Sequence, residues 1–254
     1  MTMPLAIESQ SAYVEAMIRA MRLRLRALAK DDDEGRAERD AHEAALRSSA
    51  QAAAAAGGAM PMLWLRDRLR LSTTEEQVVW LLLAHEVDAA ARQAMRVLNT
   101  ETVSDATLDA IRRVVYGFGV QARAGAELAA AGPLRRLGLI ERTDDEERCP
   151  EYRQTFALSR RVLALALGDA GLDPALERIA SIPSSNLTVA DLVAAPKAVD
   201  HLRATLDGSS LVAITARSGS GRRSLALATL HEKGLAALQI DGRAIASARD
   251  VAQQ

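Results

Sequence analysis

Between residues 211 and 241 the chain runs from a short apolar, partly β-branched segment through a glycine-rich turn into a helical pattern, then into a second apolar segment. Leu211–Thr215 reads as a buried strand, Arg222–Glu232 as a helix ending at Gly234, and Leu235–Ile240 as a second buried strand. Such a strand–helix–strand unit takes about 30 residues. Parallel pairing of the two strands demands further strands and helices on both faces. The sequence given ends at Gln254, so the expectation is an incomplete α/β phosphate-loop subdomain over 198–254.

The turn is Gly219, Ser220, Gly221, Arg222, Arg223 and Ser224. A phosphate loop needs glycines so that backbone N–H groups can curl around oxygens, and a helix N-terminus facing the charge. It also needs a lysine for the outer phosphates and a hydroxyl for Mg²⁺. With Gly221 just before the lysine position, Arg222 stands where the lysine belongs, Arg223 where the hydroxyl belongs, and Ala216 where the first glycine belongs. Sliding the register by one recovers Ser224 as the hydroxyl but puts arginines at both glycine positions. An arginine fork can pair with phosphate but does not replace an ammonium point charge. The loop therefore either binds ATP weakly or only preserves the fold. Mg²⁺ is not expected here, nor is hydrolysis by this chain alone. A rival reading takes Gly219, Gly221 and Ser224, with Asp241 at the end of the next strand, as a dinucleotide fingerprint. It lacks the third glycine.

Upstream the chain is mainly α. Apolar residues make up 49% and aromatics only 3%, with Ala and Leu dominant, both strong helix formers. Val14, Ile18, Met21, Leu25 and Leu28 set a stripe along a helix over 9–29, with Arg19, Arg22, Arg24 and Arg26 largely off it. Asp31–Glu34 with Gly35 is a solvated break, and a second, Ala-rich helix over 36–56 ends at Gly57-Gly58. Pro61 opens a short helix. Ser72-Thr73-Thr74-Glu75 is a capping box starting a strongly apolar helix through Val78, Val79, Trp80, Leu82 and Leu83. Asp88 caps the next helix, about 89–98, and Ser104 or Asp105 caps another, which Gly117-Phe118-Gly119 ends. A short helix at 122–131 leads through Gly132-Pro133 to Leu139–Arg142. A charged loop, Asp144–Arg148, separates that strand from Gln154–Leu158, and Ser159 caps a further helix. Helices, then a β-hairpin, then a capped helix is the order of a winged helix. Leu172-Asp173-Pro174 starts one more short helix, and 181–197 reads as a linker. The domains expected are a helical segment 1–58, a winged helix 59–182, a linker 183–197 and the subdomain 198–254.

Charge and cysteine content narrow the function. With 32 basic and 33 acidic residues the net charge is −1, which supplies no field to recruit nucleic acid or an anionic membrane. The lone Cys149 excludes an internal disulfide framework and a cysteine-based zinc site. No signal peptide is visible, so a reducing cytoplasmic setting is expected. The apolar run around Val78–Ala84 is far short of the ~20 residues of a membrane span. His85-Glu86, Lys30–Glu34 and Leu238–Asp241 each imitate a catalytic or metal motif and lack its remaining residues. The candidate recognition helix carries Arg123 as its only basic residue, and the wing Asp144–Glu147 is acidic. Because phosphate contacts dominate affinity for DNA, docking of protein partners or self-association, through the winged helix and the N-terminal helices, is expected before nucleic acid. A DNA-binding winged helix is the alternative.

Leu63–Leu83, including Leu65–Ser72 and Glu75 and closing on His85-Glu86-Val87-Asp88, resembles a bacterial AAA+ ATPase family with an N-terminal winged-helix region. Gly132–Glu141, Ser159–Leu163, Gly168 and Leu172-Asp173-Pro174 fit as well. Proteins of this kind include ATPases encoded with contractile injection systems. The similarity spans roughly residues 60–250. It implies a degenerate first ATPase-like domain, often with Gly-Ser-Gly-Arg-Arg in its loop, ahead of a competent ATPase module. The Walker B, sensor and arginine-finger segments would lie beyond residue 254. On that resemblance the chain is a regulatory or assembly portion of an ATPase, inactive by itself.

Overall fold

A computed structural model of the chain describes residues 7–29, 36–99, 103, 105–117, 121–144, 149–169, 171–173, 176–183, 187–208, 212–217 and 219–245. The break at 31–35, the Ser104 cap, Phe118-Gly119, the wing residues 145–148, Pro174, Leu211 and Ser218 fall outside them. The chain divides into two compact units, Met1–Ala170 and Gly171–Gln254.

The first unit is built around α4, Thr73–Val87. Its start follows the capping box: the Ser72 hydroxyl accepts from Glu75 N–H at 3.2 Å, and the Glu75 carboxylate accepts from Ser72 N–H at 2.7 Å. Every residue from Glu75 to His85 is buried, as a helix that is apolar on all sides requires. Around it lie α1 (Gln10–Ala29), α2 (Arg36–Ala55), α3 (Pro61–Leu69) and α5 (Ala89–Leu98). Tyr13 of α1 meets Trp80 edge-on, with centroids 5.2 Å apart. Asp88 caps α5, accepting from Ala90 and Ala91 N–H at 2.7 and 3.0 Å.

The stripe expected on α1 is buried or half-buried, but the covered face is wider than that stripe and takes in Tyr13, Met17, Ala20 and Arg24. Arg24 is buried because α2 lies over it.

Next come β1 (Ala106–Thr107), α6 (Leu108–Ile111), a π-helix Arg112–Tyr116, α7 (Gln121–Leu128), α8 (Pro133–Arg136), β2 (Ile140–Arg142), a 3₁₀ turn Glu151–Arg153, β3 (Thr155–Leu158) and α9 (Arg160–Ala166). The strands form an antiparallel sheet in the order β1-β3-β2, with Ala106 opposite Phe156 and Ile140 opposite Leu158. This is a helical bundle with a wing hairpin. Two details differ from the sequence reading. The cap of α6 is Thr107, whose hydroxyl accepts from Ala110 N–H at 3.2 Å, not Ser104 or Asp105. It sits on β1, a two-residue strand too short to leave a periodic signature. The helix after it also widens into a π turn, where an extra residue is accommodated.

The second unit contains β4 (Ala180–Ser181), a 3₁₀ turn Val189–Asp191, α10 (Pro196–Gly208), α11 (Arg222–Glu232) and β5 (Gln239–Ile240). Arg203 and Lys233 join α10 to the end of α11 by pairing with Glu232 at 2.7 Å and Asp207 at 2.5 Å. The helix of the expected strand–helix–strand unit is present, but its strands are not formed as expected. Residues 212–217 form no strand, and of Leu235–Ile240 only Gln239–Ile240 pair, antiparallel to Ala180–Ser181. A buried parallel strand needs a hydrogen-bonded neighbour and cover on both faces. Val212 and Ile214 are only half-buried and Leu235 and Leu238 are exposed. Among the described residues the α/β subdomain is thus a helical pair with a two-residue ladder. The buried ones among the described residues are Ala180, Val199, Leu202, Ala228 and Thr229.

Candidate docking face

In the hairpin region α7 keeps one side buried and the other exposed. Ala124 and Leu128 are buried, whereas Ala122, Arg123 and Ala126 are exposed, followed by exposed Ala129, Ala130 and Ala131. Small side chains on that side allow another backbone to come close. Near Gly125 lies the Glu151 carboxylate, 3.9 Å from where a Cβ would stand. Glu151 itself accepts from Arg112 at 2.9 Å, which ties the base of the wing to the π-helix.

What holds α7 in place is Glu127, a buried carboxylate with four donors around it. The Tyr116 hydroxyl donates to Oε2 at 2.6 Å, Thr74 Oγ1 at 2.8 Å, and Ser72 Oγ to Oε1 at 3.3 Å. Arg123 Nε donates to Oε1 at 2.8 Å. Burial pushes the Glu127 carboxyl up, but the bonds from Tyr116, Arg123 and Thr74 outweigh it and hold the group below the usual carboxylate range. Burial and the Glu127 charge together push the Tyr116 hydroxyl well above its ordinary value. The hub joins the cap of α4, the π-helix and α7, and it takes up the single basic residue of α7.

The wing is arranged in the same way. Arg142 donates through Nε to Asp144 at 2.8 and 2.9 Å, and Asp144 Oδ2 also accepts from Thr155 N–H at 3.0 Å. Chiefly the Arg142 bond keeps the Asp144 carboxyl below its usual range. Arg135 and Arg136, on α8, form no ion pair among the described residues.

Over residues 8–180 the sequence matches the family model described as "Winged helix domain, variant". The chain belongs to that winged helix family. No curated protein and no solved structure matches it. The matched span takes in α1 and α2 of this winged helix protein as well as the hairpin. No helix among its described residues is long and apolar enough to cross a membrane.

The residues singled out in the second unit lie together at the start of α11. Gly219 and Gly221 have φ of +78° and +77°, a region that glycine enters without strain. Ser220 N–H donates to the Arg217 carbonyl at 3.2 Å, and Leu225 N–H to the Gly221 carbonyl at 2.9 Å. Arg222 and Arg223 are exposed, and Ser224 is half-buried at the first turn.

Sequence reasoning passed over Glu127 and Tyr116, and read Thr74 only as part of the capping box. One signal was available: Arg123 and Glu127, four apart, are the only charged residues of that helix.

Proposed function

We propose that this winged helix protein is a protein-docking module, serving regulation or assembly in an AAA+ ATPase setting. The observation that carries the docking reading is the side-chain economy of α7. Its exposed residues are mainly alanines, and its one arginine is held by the buried Glu127. A DNA-reading helix needs free cations, because phosphate contacts supply most of the affinity. The ATPase setting is supported by the sequence resemblance over 60–250, and a cytoplasmic location is proposed with it. Fluorescence anisotropy of a labelled random duplex at low salt is expected to stay flat up to ~10 µM protein, where non-specific binders already respond. Salt-dependent binding that disappears in the Arg135→Ala/Arg136→Ala double variant would overturn the reading in favour of DNA.

The glycine turn supports a second, smaller role for Gly219–Ser224 as a weak or vestigial ATP-phosphate loop. Two left-handed glycines lead into an eleven-residue helix with Arg222 and Arg223 at its N-terminus. Arg223 at the hydroxyl position argues against Mg²⁺ and against turnover by this chain alone. In a titration with fluorescent ATP, binding in the ~millimolar range or weaker is expected, about 4 kcal/mol at most. Arg222→Ala should remove it. No binding by either protein would leave the turn a purely structural device.

A further inference from the structure

The chemistry that joins α1 to the rest of the first unit is unusual for a helix packed on a core. Arg24 is 4% exposed and Glu43, on α2, is 1% exposed. Arg24 donates through Nε to Glu43 Oε1 at 3.0 Å and through a terminal nitrogen to Asp40. Gln77 of α4 donates to the other Glu43 oxygen at 3.0 Å. The remaining guanidinium nitrogen donates to the Val114 carbonyl at 3.4 Å. Val114 lies inside the π-helix, two residues before Tyr116, and Tyr116 donates to Glu127 of α7. Buried polar groups and ionic groups are costly unless fully partnered. Here the partners form one unbroken series from α2 through α1 and the π-helix to α7.

We infer that Arg24 is a positioning residue for α7: by bonding Val114 inside the π-helix, the packed helices α1 and α2 set where Tyr116 and Glu127 place the exposed α7 face. π turns are rare, occur mostly as single turns inside α-helices, and are frequent at functional sites. Freed from Arg24, the π-helix relaxes, Tyr116 moves off Glu127, and α7 loosens while α4 stays packed. The significance of the device rests on the docking reading of α7, but the coupling itself involves no partner.

Hydrogen exchange on the full chain tests it. Arg24→Lys keeps the charge but cannot reach Glu43, Asp40 and Val114 together. The double variant Arg24→Met/Glu43→Gln removes the buried charges as a pair, so that neither is left uncompensated in the core. In both, amides of Gln121–Leu128 are expected to exchange about tenfold faster or more, with those of Val78–Ala84 unchanged. Unchanged exchange in α7, or a rise spread evenly over the first unit as plain destabilisation gives, would overturn the inference. The reciprocal variant Tyr116→Phe, which removes one hydroxyl, should speed exchange in residues 20–26 and 40–46. Confinement of its effect to α7 would also overturn it. Should the double variant not fold, Arg24→Lys and Tyr116→Phe decide the question. Because no partner is present, a negative result leaves the docking reading untouched.

Discussion

Replacing Gly132 with alanine is expected to destabilise the first unit by about 3 kcal/mol, the upper part of the usual range for overpacking. An added Cβ would stand 2.5 Å from the carbonyl oxygens of both Ala126 and Glu127. Those atoms are backbone and cannot swing aside. Gly132 has φ −65°, so its requirement is for space and not for a left-handed conformation. The clash falls on the last turn of α7, where Glu127 is anchored. Urea denaturation followed by circular dichroism measures the loss. A midpoint equal to the parent's would show that the turn before α8 can be displaced freely, and that the tight approach does not fix α7.

The second large effect is expected at Glu127→Gln, again about 3 kcal/mol at neutral pH, from weakening charge-assisted hydrogen bonds to a buried carboxylate. The amide nitrogen of the variant also faces hydroxyl and guanidinium donors. The pH dependence has a definite sign. Glu127 is held below its ordinary value when folded, so its contribution is fully present above the unfolded carboxylate value, about 4.3. It is lost as pH falls through the folded value. The parent should therefore lose stability in that acid window, and the variant should lose less over the same interval. Parallel urea midpoints for the two proteins from neutral to acid pH would show that the hub contributes nothing.

The parts of the fold that were legible in the sequence carry their own chemistry. Ser72 and Glu75 announce the start of α4 through spacing alone, and Asp88 and Ser159 sit where caps are needed. The turn at Gly132-Pro133 and the apolar pairs on either side of the wing locate the hairpin. What the sequence concealed depends on residues far apart in the chain. Arg24 looks solvent-facing on a helical wheel until α2 covers it, and Glu127 looks like one half of a surface pair until Tyr116 and Thr74 arrive from other elements. Leu211–Thr215 misled for another reason. A short apolar run has the same composition whether or not a neighbouring strand exists to bond it, and a ladder is a property of two segments. The position of Gly219–Ser224 at the head of a helix was readable, because glycines punctuate the chain just before a helical pattern.

The sparse interior of the second unit has a consequence for how the whole chain denatures. Among its described residues the buried ones are confined to a few positions on α10, α11 and β4, so little of their apolar surface is returned to water when this part opens. Its cooperative free energy lies at the low end of what a chain segment of that size can hold. The first unit, with α4 enclosed on every side, lies at the other end. A single melting temperature for the intact chain would therefore blend two transitions of different steepness, and the two-state bookkeeping used for mutational energies belongs to the first unit alone.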